Sequence, residues 1–160
     1  MKKEFIYLDS SVPSAYFDAR VPWRMDYTRR WWDEELPLYD VFISPVVLAE
    51  IRRIRDEENR ADLLRLVFDL PQLELSDEIE HIAAGYLNHK IIPQSASADA
   101  LHIAVASFYK VDFLVTWNCE HLSEAHRRRQ VRLFNTIAGL YVPELVTPME
   151  LKKWKEGEEE

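Results

Sequence analysis

Three carboxylates and one amide stand where side chains can do chemistry: Asp9, Glu50, Asp99 and Asn118. Asp9 closes the run Phe5-Ile6-Tyr7-Leu8. An apolar run this short, without polar alternation, reads as a strand buried on both faces. In open α/β sheets the working residues lie just past the carboxyl ends of the strands. Glu50 follows Ser44-Pro45, a serine N-cap and a proline at the first helical position, and sits beside the apolar stripe Val47, Ile51 and Ile54. Asp99 lies in the first turn of a helix over 98–108 that is apolar nearly all round, where the helix dipole favours an anion. Asn118 follows a strand over 112–116 and offers a carbonyl oxygen without a charge. Any one of these acids, taken alone, reads better as a capped or salt-bridged structural group. Three in equivalent settings of one α/β chain point to convergence. Converging carboxylates repel unless a cation joins them. Hard oxygen ligands with few histidines favour Mg²⁺ or Mn²⁺ over zinc. Such sites hydrolyse phosphodiesters by generating hydroxide and stabilising charge on the attacking and leaving oxygens.

The elements that must position these groups alternate. Strands are expected at 5–8, 40–43, 112–116 and 145–146, with a short extended piece at 73–75. Between them come helices over 10–18, 22–35, 44–54, 59–69, 77–88, 98–108 and 120–134, and a last one opened by Pro148 and running through Trp154. Ser10 or Ser11, Asp77 (with Glu80 three residues on) and Ser97 are the expected caps. Strands alternating with helices argue for a mainly parallel sheet flanked by helices, an α/β three-layer architecture. Trp23, Tyr27, Trp31 and Trp32 form an aromatic stripe at helical spacing. It reads as core or dimer packing, with stacking of RNA bases as the sharper alternative.

Composition bounds the function. The 160 residues suit one domain, expected at 1–155 with an acidic tail at 156–160. Apolar residues make up 48% and no run approaches the ~18 residues of a membrane span, so no membrane partner is expected. No signal peptide is read, and Cys119 is the single cysteine, which fits a cytoplasmic protein. The net charge of −8 argues against nucleic acid when taken alone. Arginines nevertheless cluster at Arg29-Arg30, at Arg52, Arg53 and Arg55, and at Arg127, Arg128, Arg129 and Arg132. Each cluster reads as a solvated helix face, yet a basic rim around an acidic centre allows phosphate binding.

The chain resembles PIN-domain proteins of the VapC-like ribonuclease group, the toxins of type II toxin–antitoxin pairs. The matching residues are Tyr7-Leu8-Asp9-Ser10-Ser11, Val46-Val47-Leu48-Ala49-Glu50-Ile51, Ser97-Ala98-Asp99-Ala100-Leu101-His102-Ile103-Ala104 and Leu114-Val115-Thr116-Trp117-Asn118-Cys119-Glu120-His121-Leu122. Their order and spacing span about residues 4–150. The resemblance implies a PIN fold, Mg²⁺- or Mn²⁺-dependent RNA cleavage, a homodimer and a small antitoxin partner. It makes Asp9, Glu50, Asp99 and Asn118 the catalytic and metal-holding set, directly or through water. PIN nucleases usually carry an acid at the position of Asn118, so a second metal should bind more weakly here, with Glu120 as a partial substitute and Thr116 in a supporting role. A PIN-fold binding module with little or no catalysis is the rival reading. His102 reads as a hydrogen-bonded core histidine rather than a ligand. Cys119 and His121 do not make a closed zinc site. Ser11, where a haloacid-dehalogenase-type phosphatase would carry an acid, excludes that chemistry, and the lack of a Gly-rich phosphate loop argues against nucleotide-triphosphate chemistry.

Overall fold

The computed structural model describes residues 2–118 and 125–152. The chain runs β1 (Phe5–Leu8), α1 (Ser11–Tyr16), α2 (Pro22–Glu34), a 3₁₀ turn (Leu36–Leu38), β2 (Asp40–Phe42), α3 (Pro45–Arg52), α4 (Glu57–Val67) and α5 (Asp77–Asn88). A second 3₁₀ turn (Gln94–Ala96), α6 (Ser97–Phe108), β3 (Phe113–Val115), α7 (Ala125–Ala138) and β4 (Glu144–Val146) follow. The four strands form one parallel sheet in the order β2-β1-β3-β4. Ile6 pairs with both Val41 and Phe113, and Leu114 with Leu145. Because every strand runs the same way, Asp9, Ser44 and the Thr116–Asn118 segment emerge along one edge of the sheet.

Helices cover both faces, as the unbroken apolar strands require. Successive strand residues point to opposite sides. Ile6 and Leu8 join Val12, Trp31, Val47, Ile51 and Leu63 in one core, supplied by α1 to α4. Tyr7 and Leu114 join Ile79, Tyr86, Ile103 and Val131 in the other, supplied by α5 to α7. The α6 helix is buried continuously from His102 to Ser107, as its all-round apolarity implies.

Several boundaries differ from expectation. Ser76, not Asp77, caps α5: its side chain accepts from the Ile79 amide, and Ile79, not an acid, occupies the third position that a capping box needs. Neither Ser10 nor Ser97 makes a side-chain cap, and Ser97 is already inside α6. The 73–75 piece reduces to a single bridge between Ile43 and Gln72, one residue earlier. Residues 148–152 form turns rather than a helix, held by the Glu150 and Leu151 amides on the Thr147 carbonyl, while Trp154 and the acidic tail lie outside the described residues.

The tryptophan stripe splits. Trp31 is fully buried and donates its indole N–H to the Leu151 carbonyl at 2.6 Å, Trp32 is half-buried against Tyr16, and Trp23 is exposed. No helix among the described residues is long and apolar enough to cross a membrane.

Candidate active site

Asp9 leaves β1 and is almost completely buried. Oδ1 accepts from the Ser11 amide (3.0 Å) and hydroxyl (2.5 Å), and Oδ2 accepts from the Thr116 hydroxyl (2.5 Å). Those hydroxyls are themselves fixed. Ser11 Oγ accepts from the Trp117 amide at 2.8 Å, and Thr116 Oγ1 from the Asn118 amide at 2.9 Å. The turn after β3 therefore clamps the acid at the end of β1. Burial pushes the Asp9 carboxyl above the usual aspartate range. The positive field of His102 and the Ser11 and Thr116 hydrogen bonds oppose that rise, and Glu50 adds to it.

Glu50 sits on α3, beside Ile51 on the buried face, with its carboxylate partly open to solvent. Ser44 caps this helix through the Val46 amide, at 3.2 Å. Glu50 Oε1 meets His102 Nε2 at 2.6 Å. His102 Nδ1 meets the Tyr7 hydroxyl at 2.6 Å, and that hydroxyl meets Ser44 Oγ at 2.7 Å. A carboxylate only accepts, so His102 Nε2–H is the donor to Glu50. With neutral imidazole the rest follows in one direction: Val46 N–H to Ser44, Ser44 O–H to Tyr7, Tyr7 O–H to His102. The chain begins and ends on α3. Burial would raise the Glu50 carboxyl, but the hydrogen bond and charge of His102 outweigh it and hold it below the ordinary value. Burial would likewise lower His102; the Glu50 hydrogen bond, with the charges of Asp9, Glu50 and Asp99, raises it instead. Burial keeps the Tyr7 phenol well above its usual value and therefore neutral.

Asp99 is half-buried in the first turn of α6, and Asn118 Nδ2 donates to its Oδ2 at 3.3 Å. Asn118 thus presents a donor to an acid. Three carboxylates from β1, α3 and α6 share the field of one imidazole. Among the described residues, no three Asp, Glu, His or Cys side chains come close enough to hold an ion between them directly. The donor chemistry, all oxygen with no thiolate, still fits a hard divalent cation, because Mg²⁺ retains several waters and takes only one or two carboxylates.

His102 is buried and hydrogen-bonded as expected of a core histidine, but its partners make it part of the site. Sequence reasoning also misses Tyr7, Ser11 and Ser44 as members of the site. Two signals are available. His102 lies three residues after Asp99, on the same helix face, and a tyrosine in a doubly buried strand needs a partner for its hydroxyl. Glu120, Cys119 and His121 lie outside the described residues. Arg127 and Arg128 are committed elsewhere, Arg127 to the Ile91 carbonyl and Arg128 to Glu150.

A model of the PIN domain family matches residues 6–118, from β1 through the turn that carries Asn118. The chain belongs to the PIN domain family. Solved structures share its fold, VapC20 and VapBC2 among them. VapC20 of Mycobacterium tuberculosis, a toxin that cleaves the sarcin–ricin loop, aligns with a TM-score of 0.57 at 17% identity, covering 72% of this chain and 91% of that one. VapBC2 from Rickettsia felis, solved bound to a DNA fragment from its promoter, aligns at 0.53 and 16%, covering 89% and 98%. VapBC-5 of Mycobacterium tuberculosis, from the VapBC family of toxin–antitoxin systems, aligns at 0.49 and 20%, covering 88% and 96%. Comparison with curated protein sequences gave no match. In this PIN domain, the four positions expected from the motifs lie along the carboxyl edge of the parallel sheet: Asp9 is joined to Asn118 through Thr116, Asn118 to Asp99, and Glu50 to His102.

Proposed function

We propose that this PIN domain is a divalent-metal-dependent endoribonuclease that hydrolyses RNA phosphodiester bonds, the toxin of a toxin–antitoxin pair. The observation that carries the reading is the hydrogen-bonded set at the carboxyl edge of the sheet, with Glu50 on His102 and with Asp9 and Asp99 joined through Thr116 and Asn118. Asp9, Glu50 and Asp99 would hold Mg²⁺ or Mn²⁺, partly through water, with the Asn118 carbonyl oxygen as a further donor. A bound ion would supply Lewis acidity there, making water more acidic and neutralising charge on the phosphate oxygens. The chain's own contribution is positioning. Ser11 and Thr116 hold the Asp9 carboxylate through both oxygens. His102 fixes one oxygen of Glu50, and Asn118 restrains Asp99.

A small antitoxin partner and a cytoplasmic setting belong to this proposal, supported by the likeness to toxin structures and by the single cysteine. A homodimer belongs to it through the family resemblance alone, since Trp31 is spent in the core. Sedimentation at tens of micromolar tests the dimer, and a sedimenting monomer removes it. The decisive assay is cleavage of single-stranded RNA by the wild type and by Asp9→Asn, with Mn²⁺ or with chelator. Cleavage that needs both Asp9 and the ion is expected. Cleavage that survives Asp9→Asn or chelation refutes the mechanism, and no cleavage by the wild type leaves the binding-module reading in its place.

A further inference from the structure

An acidic site in a chain of net charge −8 must draw a polyanion through local positive charge. On α7, Arg127 and Arg128 are occupied internally. Arg20 and Arg24 are paired too, both with Asp18, but they lie beside the candidate site. With Ser11, Ser14, Trp117 and Asn118 they line one groove of about 490 Å³. Ser11 bonds Asp9 and Asn118 bonds Asp99, so one end of this groove is the rim of the candidate site. Both arginines share a single carboxylate in the groove wall, Asp18, at 2.8 Å and 3.2 Å, which leaves net positive charge. Each guanidinium has five N–H donors. The Arg20 side chain is 89% exposed.

Next to Arg24 in the chain, Trp23 is 59% exposed. Its ring stands at 89° to Trp117 with centroids 5.9 Å apart, so the edge contact leaves an indole face open. Trp117 is anchored by its indole N–H on the Thr28 hydroxyl at 2.9 Å. An open aromatic face, packed on an anchored ring beside a cationic groove, is how single-stranded nucleic acids are held without sequence reading.

We propose that this groove is the subsite for the nucleotide flanking the scissile phosphate of single-stranded RNA, with Arg20 and Arg24 on its phosphate and Trp23 stacked on its base. The proposal rests on the ribonuclease reading and names the groups that hold its substrate.

The test uses the full chain carrying Asp9→Asn and two labelled strands of equal length, an oligouridylate and an abasic ribose-phosphate strand, followed by fluorescence anisotropy. Trp23→Ala should weaken the oligouridylate roughly five- to a hundredfold and leave the abasic strand unchanged, with Trp23→Phe restoring binding. Arg24→Gln and Arg20→Gln should weaken both strands and lower the salt slope by about 0.7 for each phosphate no longer neutralised. Arg132→Gln, exposed on α7, should change neither. Equal binding by Trp23→Ala and its parent overturns the proposal, as does an Arg132→Gln loss equal to that of Arg24→Gln. With Asp9 intact, RNA cleavage at unchanged KM in Trp23→Ala and Arg24→Gln removes the subsite and leaves the ribonuclease reading standing. Failure of every Asp9-intact form to cleave removes the ribonuclease reading instead, and the anisotropy arms then judge the groove as an RNA-binding surface.

Discussion

Asn118→Asp inserts a second carboxylate where an amide now donates to Asp99 Oδ2 at 3.3 Å. Without a cation, two charges about 4 Å apart repel by about 1 kcal/mol at the dielectric of water and about 4 kcal/mol at the value usual near a protein surface. Both groups are half-buried, so the cost falls between these limits. The lost hydrogen bond adds about 1 kcal/mol. At about 2–4 °C per kcal/mol for a domain of this size, Tm in chelator should fall by roughly 5–15 °C. Mn²⁺ should offset this loss. A cation held by two carboxylates binds the variant more tightly, and saturation to a hundred times Kd stabilises by about 2.7 kcal/mol. The assay is thermal melting of wild type and Asn118→Asp across a Mn²⁺ titration, paired with RNA cleavage against Mg²⁺ concentration. The expected pattern is a variant less stable than wild type in chelator, with a larger Mn²⁺ shift and faster cleavage at low Mg²⁺. Identical melts in chelator would show that Asn118 and Asp99 do not face one another. Identical Mn²⁺ shifts and overlapping cleavage curves would remove Asn118 from the site and reduce it to a turn residue.

His102→Leu should weaken Mn²⁺ binding by about ten- to a hundredfold, as losses of ligand-orienting partners do, and His102→Gln, which can still donate to Glu50, should recover part of it; calorimetric titration decides, and equal affinities would detach His102 from the metal. Thr116→Val keeps the shape but strips Asp9 Oδ2 of its donor in a buried setting, so denaturant unfolding in chelator should show a loss of about 1–3 kcal/mol. An unchanged midpoint would contradict the clamp. Glu150 is partly buried, which would raise its carboxyl, but the Arg128 hydrogen bond and the Thr147 amide hold it below its ordinary 4.5. Its folded value is depressed, so its stabilisation is complete above pH 4.5 and is lost as pH falls through the folded value. Glu150→Gln should flatten the acid limb of the stability–pH curve, and parallel curves would refute that assignment.

The strands were legible because each is a short apolar run ended by a polar residue, and in a parallel sheet such runs have no other reading. Ser44-Pro45 was legible because cap and N1 proline coincide in one dipeptide. The start of α5 was off by one residue because Ser76 and Asp77 are both cap types, and only the backbone decides between them. The extended reading of 73–75 had nothing against it locally, but the segment pairs with Ile43 alone, in a bridge centred on Gln72 and closed by the Leu73 amide. Asp9, Glu50 and Asp99 were found one at a time, each from its place in an element. What joins them was not readable. Tyr7 and His102 are 95 residues apart, and His102 and Glu50 are 52 apart, so no local spacing connects them. The aromatic stripe reads as one feature in the sequence because helical period alone does not say which of its members meets Leu151 and which meets solvent.

The relay from Ser44 through Tyr7 and His102 to Glu50 crosses from one side of the sheet to the other. Tyr7 packs in the core beneath α5 and α6, whereas α3 packs its Val47 and Ile51 in the core beneath α1 and α4. The orientation of Glu50 is therefore a gauge of how two separately packed halves sit against each other. A core change far from the site, on either face, would tilt one half by a fraction of an ångström and misaim this carboxylate while most burial survives. Heat-sensitive loss of function well below the melting temperature is the phenotype such wiring produces, and it would arise equally from substitutions at Ile79 or at Leu63, residues that never approach the acids.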